Sequence, residues 1–283
     1  MIEFFQALGN PDIPFLRYAL VAGLLASVAF GIVGTYVVVR RISYIAGAIS
    51  HSVLGGIGLG LLLQKKAGLT WFHPMLGAVA AAVLSALVIG VVSLYARQRE
   101  DTVIGAIWVV GMAAGLLFLA MVPGYTDPMS YLFGNILLIT GSDIWLVAAL
   151  DALVVALGIL FYSQLTAVCF DEEFSRARGM RVDLYYFLLL VLTALTVVLL
   201  VSVVGIVLVV ALLTLPAAAA GQFSGRMWQM MLFASLFCML FITSGLGVSY
   251  ALSLPTGPTI VMIAAAVYLV VALGRGWRRR GKA

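Results

Sequence analysis

From Leu184 to Gly225 the sequence carries no charged side chain, and from Thr102 to Val122 it carries none either. Uninterrupted apolar runs of about 18 or more residues are what a bilayer-spanning helix requires, because its backbone N–H and C=O groups bond within the segment where water is absent. The pattern extends along the whole chain. Hydrophobic residue types make up 64% of the sequence and charged types 10%, against about 45–50% and about 25% in soluble domains. A water-soluble fold could not hide so much apolar surface. Barrel strands alternate apolar and polar residues with period two, and these runs do not. The sequence therefore describes an all-α, polytopic membrane protein.

At about 20 residues per crossing, nine spans are expected, at roughly 17–39, 45–64, 76–97, 102–122, 143–164, 184–202, 203–222, 228–250 and 257–273. Only Ser202 to Gly205 separates the sixth from the seventh, and fusing them leaves eight. The segment Tyr131–Thr140 is too short to cross and reads as a re-entrant or interfacial helix. The first sixteen residues hold Glu3 and Asp12 but no Lys or Arg, unlike the basic start of a cleaved signal peptide, so the first span is expected to be retained.

Placing the N-terminus outside and the C-terminus in the cytoplasm puts all but Arg17, Lys65 and Lys66 of the 16 basic residues on the cytoplasmic side. Positive charge gathers on that side of spanning helices, and the arrangement needs an odd number of spans, which favours nine. The net charge of +5 is explained by these loops. A basic tail also fits nucleic acid, but Arg275–Lys282 directly follows a span, and anionic lipid headgroups are the simpler partner.

Small residues recur every fourth position in the first span (Gly23, Ser27, Gly31, Thr35) and in the second (Ser52, Gly56, Gly60). That spacing lets helix backbones approach closely in lipid. Cys169 and Cys238 have no metal-binding or redox spacing and read as small buried hydrophobes.

Three features exceed the needs of a plain bundle. The first is Ser50-His51-Ser52 in the second span. Ionisable groups at membrane depth are costly and point to function, and neutral imidazole is a common ligand for borderline metals. A neutral histidine hydrogen-bonded between helices is the alternative, and the bare residue leaves both open. The second is the loop Phe170–Met180, which holds Asp171, Glu172, Glu173, Phe174, Arg176 and Gly179. Glu172 and Arg176 form an i,i+4 pair if helical, Gly179 suits a C-terminal cap, and Phe170 and Phe174 share one face. The reading is a helix of two to three turns that docks into a partner. The third, Leu252–Pro258, is a turn by its Pro and Gly content.

Asp143 with Ser142 suits the start of the fifth span. Asp151 lies two turns deeper and is a weaker candidate, either facing the bundle interior, paired with a base, or lining a pathway. His73, before Pro74, reads as an outer loop residue. No Walker A pattern occurs, so any ATP hydrolysis is expected on a separate subunit; the chain is not expected to be an enzyme or to hold a cofactor.

Six segments, in order, resemble the ABC permeases for zinc, manganese and iron. Arg40-Arg41-x-x-Tyr44…Ser50-His51 resembles that family's RR…D…H element, and Glu100-Asp101-Thr102-Val103-Ile104-Gly105 its EDTAIG element. Tyr131–Leu137 resembles FLFGNIL, and Phe170–Gly179 resembles FDPEFAxAxG. Val204–Ala217 resembles VGxxLVxALLxxPAA, and Pro255–Val261 resembles PSGxxIV. The resemblance implies a type II-like importer permease, one domain over residues 1–283, in a bacterial plasma (inner) membrane. It implies a second permease copy, a cytoplasmic ABC ATPase that grips a coupling helix near 171–180, and an extracellular or periplasmic metal-binding protein. The transported metal ion is the cargo. The family often has an Asp four residues before the histidine and another before the PSG turn; here these are Gly47 and Ser253. Losing two hard oxygen ligands leaves His51 in softer company. That keeps a metal chelate or another small solute open as cargo. An ion-coupled secondary transporter with Asp151 as relay is the alternative of another class.

Overall fold

The computed structural model describes residues 4, 7–8, 14–66, 68–69, 71–96, 99–124, 128–134 and 141–280. Long helices dominate: α1 (Pro14–Arg40), α2 (Ser43–Lys65), α3 (Pro74–Tyr95), α4 (Glu100–Met121), α6 (Gly141–Leu160), α9 (Val182–Ala220), α10 (Met227–Leu252) and α11 (Thr256–Arg280). Three short helices join them: α5 (Pro128–Phe133), α7 (Tyr162–Phe170) and α8 (Glu172–Ala177). Seven helices among the described residues are long and apolar enough to cross a membrane, and α6 with α7 makes an eighth, bent span.

The starts of the helices are written locally. His73, expected as a loop residue, is the N-cap of α3: its Nδ1 accepts from Met75 N at 3.2 Å, with Pro74 in the first turn. Glu100 and Asp101 occupy the first turn of α4, where the helix dipole favours negative charge. α10 ends on Ser253 in the left-handed region, φ 53°, and the Ser249 hydroxyl donates to Leu254 O across that turn at 2.6 Å. The expected interfacial helix after α4 is seen only as α5; positions 135–140 lie outside the described residues.

α9 is the element that decides the span count. As one straight rod it would be about 58 Å long at roughly 1.5 Å per residue, nearly twice the hydrocarbon thickness. Its first residues lie beside α8, where Arg176 donates to Asp183 at 2.7 Å. Its last residues, Ala217 and Ala220, pack on Val38 and Val39, just before Arg40 at the end of α1. Arg40 itself pairs with Glu172 of α8 and lies over the Tyr186 ring. Both ends of α9 are therefore at the same end of the bundle, and the chain reverses between them. The reversal sits at Gly205, φ 80° and ψ 163°, the one non-helical residue inside the element. A Cβ there would strike Leu132 O and Gly134 N, so the turn needs glycine both for its dihedral and for the backbone against it. The second limb, Gly205–Ala220, is a shorter apolar helix, and counting it as a crossing brings the total to the nine expected.

The fifth expected span is not straight. It bends by 69° between α6 and α7. The Tyr36 hydroxyl donates to Gly158 O at 3.0 Å beside the bend, which satisfies a carbonyl where the regular ladder is interrupted. Pro216 interrupts the ladder of α9 in a similar way. It has no N–H for the carbonyl four residues back, and the Cys238 thiol lies 3.5 Å from that oxygen, Leu212 O. Cys238 is buried as expected, but its thiol also donates.

Close approach sets the packing. A Cβ at Gly31 would strike Ser235 of α10, and one at Gly56 would strike Gly77 of α3. Gly115 of α4 also lies tightly on Leu54 and Gly55 of α2. Buried hydroxyls on these faces, such as Ser27 and Thr35, donate to carbonyls four residues back at 2.7 Å, so neither of these hydroxyls is stranded.

Candidate functional site

The structure separates the candidate residues into two regions. At one end of the bundle, charged side chains from distant segments meet around α8. Asp171 is its N-cap, and its carboxylate accepts from Phe174 N at 2.9 Å. The helix is shorter than expected, but its end is as expected: Gly179 has φ 80° and donates to Arg176 O, while Met180 N donates to Ser175 O. Arg176 bonds Glu172 at 3.3 Å, the i,i+4 pair, and also Asp183 at the start of α9. That second carboxylate, first among the causes, holds the Arg176 guanidinium above its ordinary range. Asp183 accepts from the Tyr95 hydroxyl of α3 at 3.2 Å. Glu172 takes the Arg40 guanidinium on its other oxygen. α8 is thus tied to α1 and α9, and through Asp183 to α3, while Glu173, Phe174 and Phe170 remain exposed. Arg178 lies over the Phe174 ring, 4.9 Å from its centroid.

Arg40 is the side chain that sequence reasoning undervalued. It counted there as one more basic residue on the cytoplasmic side and as part of the RR element. Its partner lies 132 residues away, and no local pattern announces such a pair.

The second region lies inside the bundle, on the seam between α2 and α4. His51 is half-buried, and its ring stacks on Trp108 with centroids 4.7 Å apart and planes at 23°. Its Nδ1 is buried without a hydrogen-bond partner, so the hydrogen-bonded interhelical histidine is not what the structure has at that nitrogen. The neighbouring hydroxyls are committed to their own helix: Ser50 donates to Ala46 O at 2.8 Å and Ser52 to Ile49 O at 2.7 Å. One turn earlier, a Cβ at Gly47 would lie 2.5 Å from Cζ3 and 2.7 Å from Cη2 of Trp108. The indole fills the volume beside His51 that a side chain at position 47 would take. A groove of about 320 Å³ opens nearby, lined by Ser52, Ser85, Ala106, Ile107, Val110 and Gly111, and neither ring lines it. Among the described residues no three His, Cys, Asp or Glu side chains gather into a metal-binding cluster.

Asp151 is on a different seam. It is 9% exposed, and its Oδ1 accepts from Ala29 N of α1 at 3.3 Å. It faces the interior, as one of its readings had it, and the structure does not bring it to His51. The side chain of Asp143 lies outside what is described.

Comparison with known proteins gives this arrangement its relatives. The model of the ABC 3 transport family matches residues 12–275. A "Probable metal transport system membrane protein" of Chlamydia pneumoniae is 44% identical over 86% of this chain and 83% of its own length. The manganese transport system membrane protein MntC of Listeria monocytogenes is 33% identical over 92% and 90%. Among solved structures, PsaBC from Streptococcus pneumoniae in complex with Fab superposes with a TM-score of 0.85 at 31% identity, covering 96% of this chain and 95% of the other.

Proposed function

This chain belongs to the ABC 3 transport family, and from that premise we propose that it is the membrane permease subunit of an ATP-driven importer carrying a divalent transition-metal ion into the cytoplasm. Manganese, zinc and iron are the cargo class, and manganese is the metal named in the Listeria relative. Family membership replaces the secondary-transporter reading of Asp151. The observation that carries the proposal is the construction of α8. It is a capped, exposed helix at one end of an apolar bundle, and ion pairs join it to the ends of two spanning helices. Such a helix can pass a push from a partner into the membrane. The partner is a cytoplasmic ABC ATPase pair gripping Asp171–Gly179, with Glu173 and Phe174 as contacts. A second permease copy completes the translocation path, and an extracellular or periplasmic metal-binding protein delivers the ion. The chain hydrolyses no ATP itself.

The charged end is the cytoplasmic one. Arg40, Arg176 and Arg178 lie there, in keeping with the positive-inside tendency, and on a count of nine crossings the N-terminus is outside. His51 is the candidate path ligand. The absence of a carboxylate beside it favours a second reading, in which the cargo is a metal chelate that brings its own hard ligands.

Elemental analysis of cells expressing the chain with its ATPase and binding protein tests the proposal. One of the three metals should accumulate with wild type and not with Glu173→Arg. If only a chelated form accumulates, the second reading replaces the first; if neither does, the importer reading fails.

A further inference from the structure

We infer that Trp108 is the gate of the His51 site, a side chain that must swing off the imidazole before any cargo can reach it; the inference rests on the permease reading above. Three observations converge. The indole is stacked on His51 at 4.7 Å. It leaves no room for a Cβ at Gly47, so the ring and the glycine are matched in shape. The Nδ1 of the same imidazole is a buried polar atom without a partner, although leaving such a group unmet is ordinarily destabilising.

The flanking Ser50 and Ser52 hydroxyls do not serve that nitrogen, because both are bonded to their own backbone. An ionisable ring kept unsatisfied at membrane depth is one held ready for something that arrives. In a preformed ligand set, a cation joins donors that already face it. Here the space beside the one donor is filled by a ring, and entry requires displacement. The indole is a large flat ring, so its rotation opens the site in one movement. Trp108 is thus a specificity-determining residue: it decides when His51 is available, and for how large a visitor.

The chain has two histidines, and His73 is exposed, so it carries its own control. The permease–ATPase complex, purified through a histidine-free tag and reconstituted, is treated with diethyl pyrocarbonate, and each histidine peptide is read by mass spectrometry. In wild type, His73 is modified and His51 is protected. Trp108→Ala removes the cover, and Gly47→Ala pushes it off from the other side with a single methyl group. Each variant, checked for an intact complex by size exclusion, should raise His51 modification at least tenfold with His73 unchanged. Wild-type His51 as reactive as His73, or protection that survives both substitutions, overturns the gate. This readout needs no transport. Failure of metal uptake by wild type overturns the importer reading alone, and loss of protection in wild type overturns the gate alone.

Discussion

The charged end of the bundle and the His51 seam treat polar groups in opposite ways. At the charged end every carboxylate tied into the network has a partner. Glu172 meets Arg40 and Arg176, and Asp183 meets Arg176 and Tyr95. In the seam, a titratable ring is stacked under an indole and left with an unbonded nitrogen. The difference matches their positions. Near water, pairing is inexpensive, and several weak bonds make a stiff joint. At membrane depth, a permanently paired charge would be stable but unable to exchange partners. On the permease reading proposed above, the first region is built to hold and the second to release.

The most severe way to break this contrast is to undo the turn that brings both ends of α9 to the charged end. Gly205→Ala places a Cβ at φ 80° against Leu132 O and Gly134 N. Left-handed strain of about 1–3 kcal/mol and overpacking of about the same size both apply. The yield of membrane-inserted protein and its unfolding midpoint in detergent should fall further than for any other change named here.

Arg40→Glu comes next. Both partners are about a quarter exposed, 23% and 27%, so the cost lies between the surface and buried limits, on the order of 1–3 kcal/mol. Transport should drop about tenfold or more, and the swap Arg40→Glu with Glu172→Arg should recover most of it. A swap that recovers nothing would mean that α8 is not driven through this joint.

Gly47→Asp sharpens the other side. Alone, it forces a carboxylate into the indole and should lower stability by about 1–3 kcal/mol. Combined with Trp108→Ala it should return toward the wild-type melting temperature. If single and double variants melt alike, the ring and the glycine are not matched. The smallest effect belongs to Arg176→Gln. The side chain is 54% exposed, so the melting temperature should fall only slightly, and by less in high salt. Melting at two ionic strengths checks it.

These regions were unequally legible in the sequence. Spans, their order and the charged end could be read, because hydropathy and loop charge are summed over many residues and survive local detail. Asp171, the Glu172–Arg176 pair and Gly179 were readable because capping and i,i+4 contacts are set within one turn. The turn at Gly205 showed only as a weak break, since a glycine in an apolar run does not reveal its dihedral. The bend at Phe161 did not show at all; both limbs are apolar, and the Tyr36 hydroxyl that serves Gly158 comes from another helix. The missing carboxylate at Gly47 was visible, but the ring that takes its place was not. Trp108 lies 61 residues further on, and its meaning depends on which face of α4 meets α2.

The two regions make different claims about one cycle, and ATP-driven metal uptake measured with ATP hydrolysis in the same proteoliposomes separates them. The complex of this chain with its ATPase and binding protein is compared as wild type, Glu173→Arg and His51→Ala. Wild type should import one transition metal while hydrolysing ATP. Glu173→Arg should lose hydrolysis and uptake together, because the ATPase no longer engages α8, and His51→Ala should keep hydrolysing while its uptake falls. Hydrolysis by wild type with no metal entering, or two variants that fail in the same way, would contradict the division between a joint that holds and a site that releases.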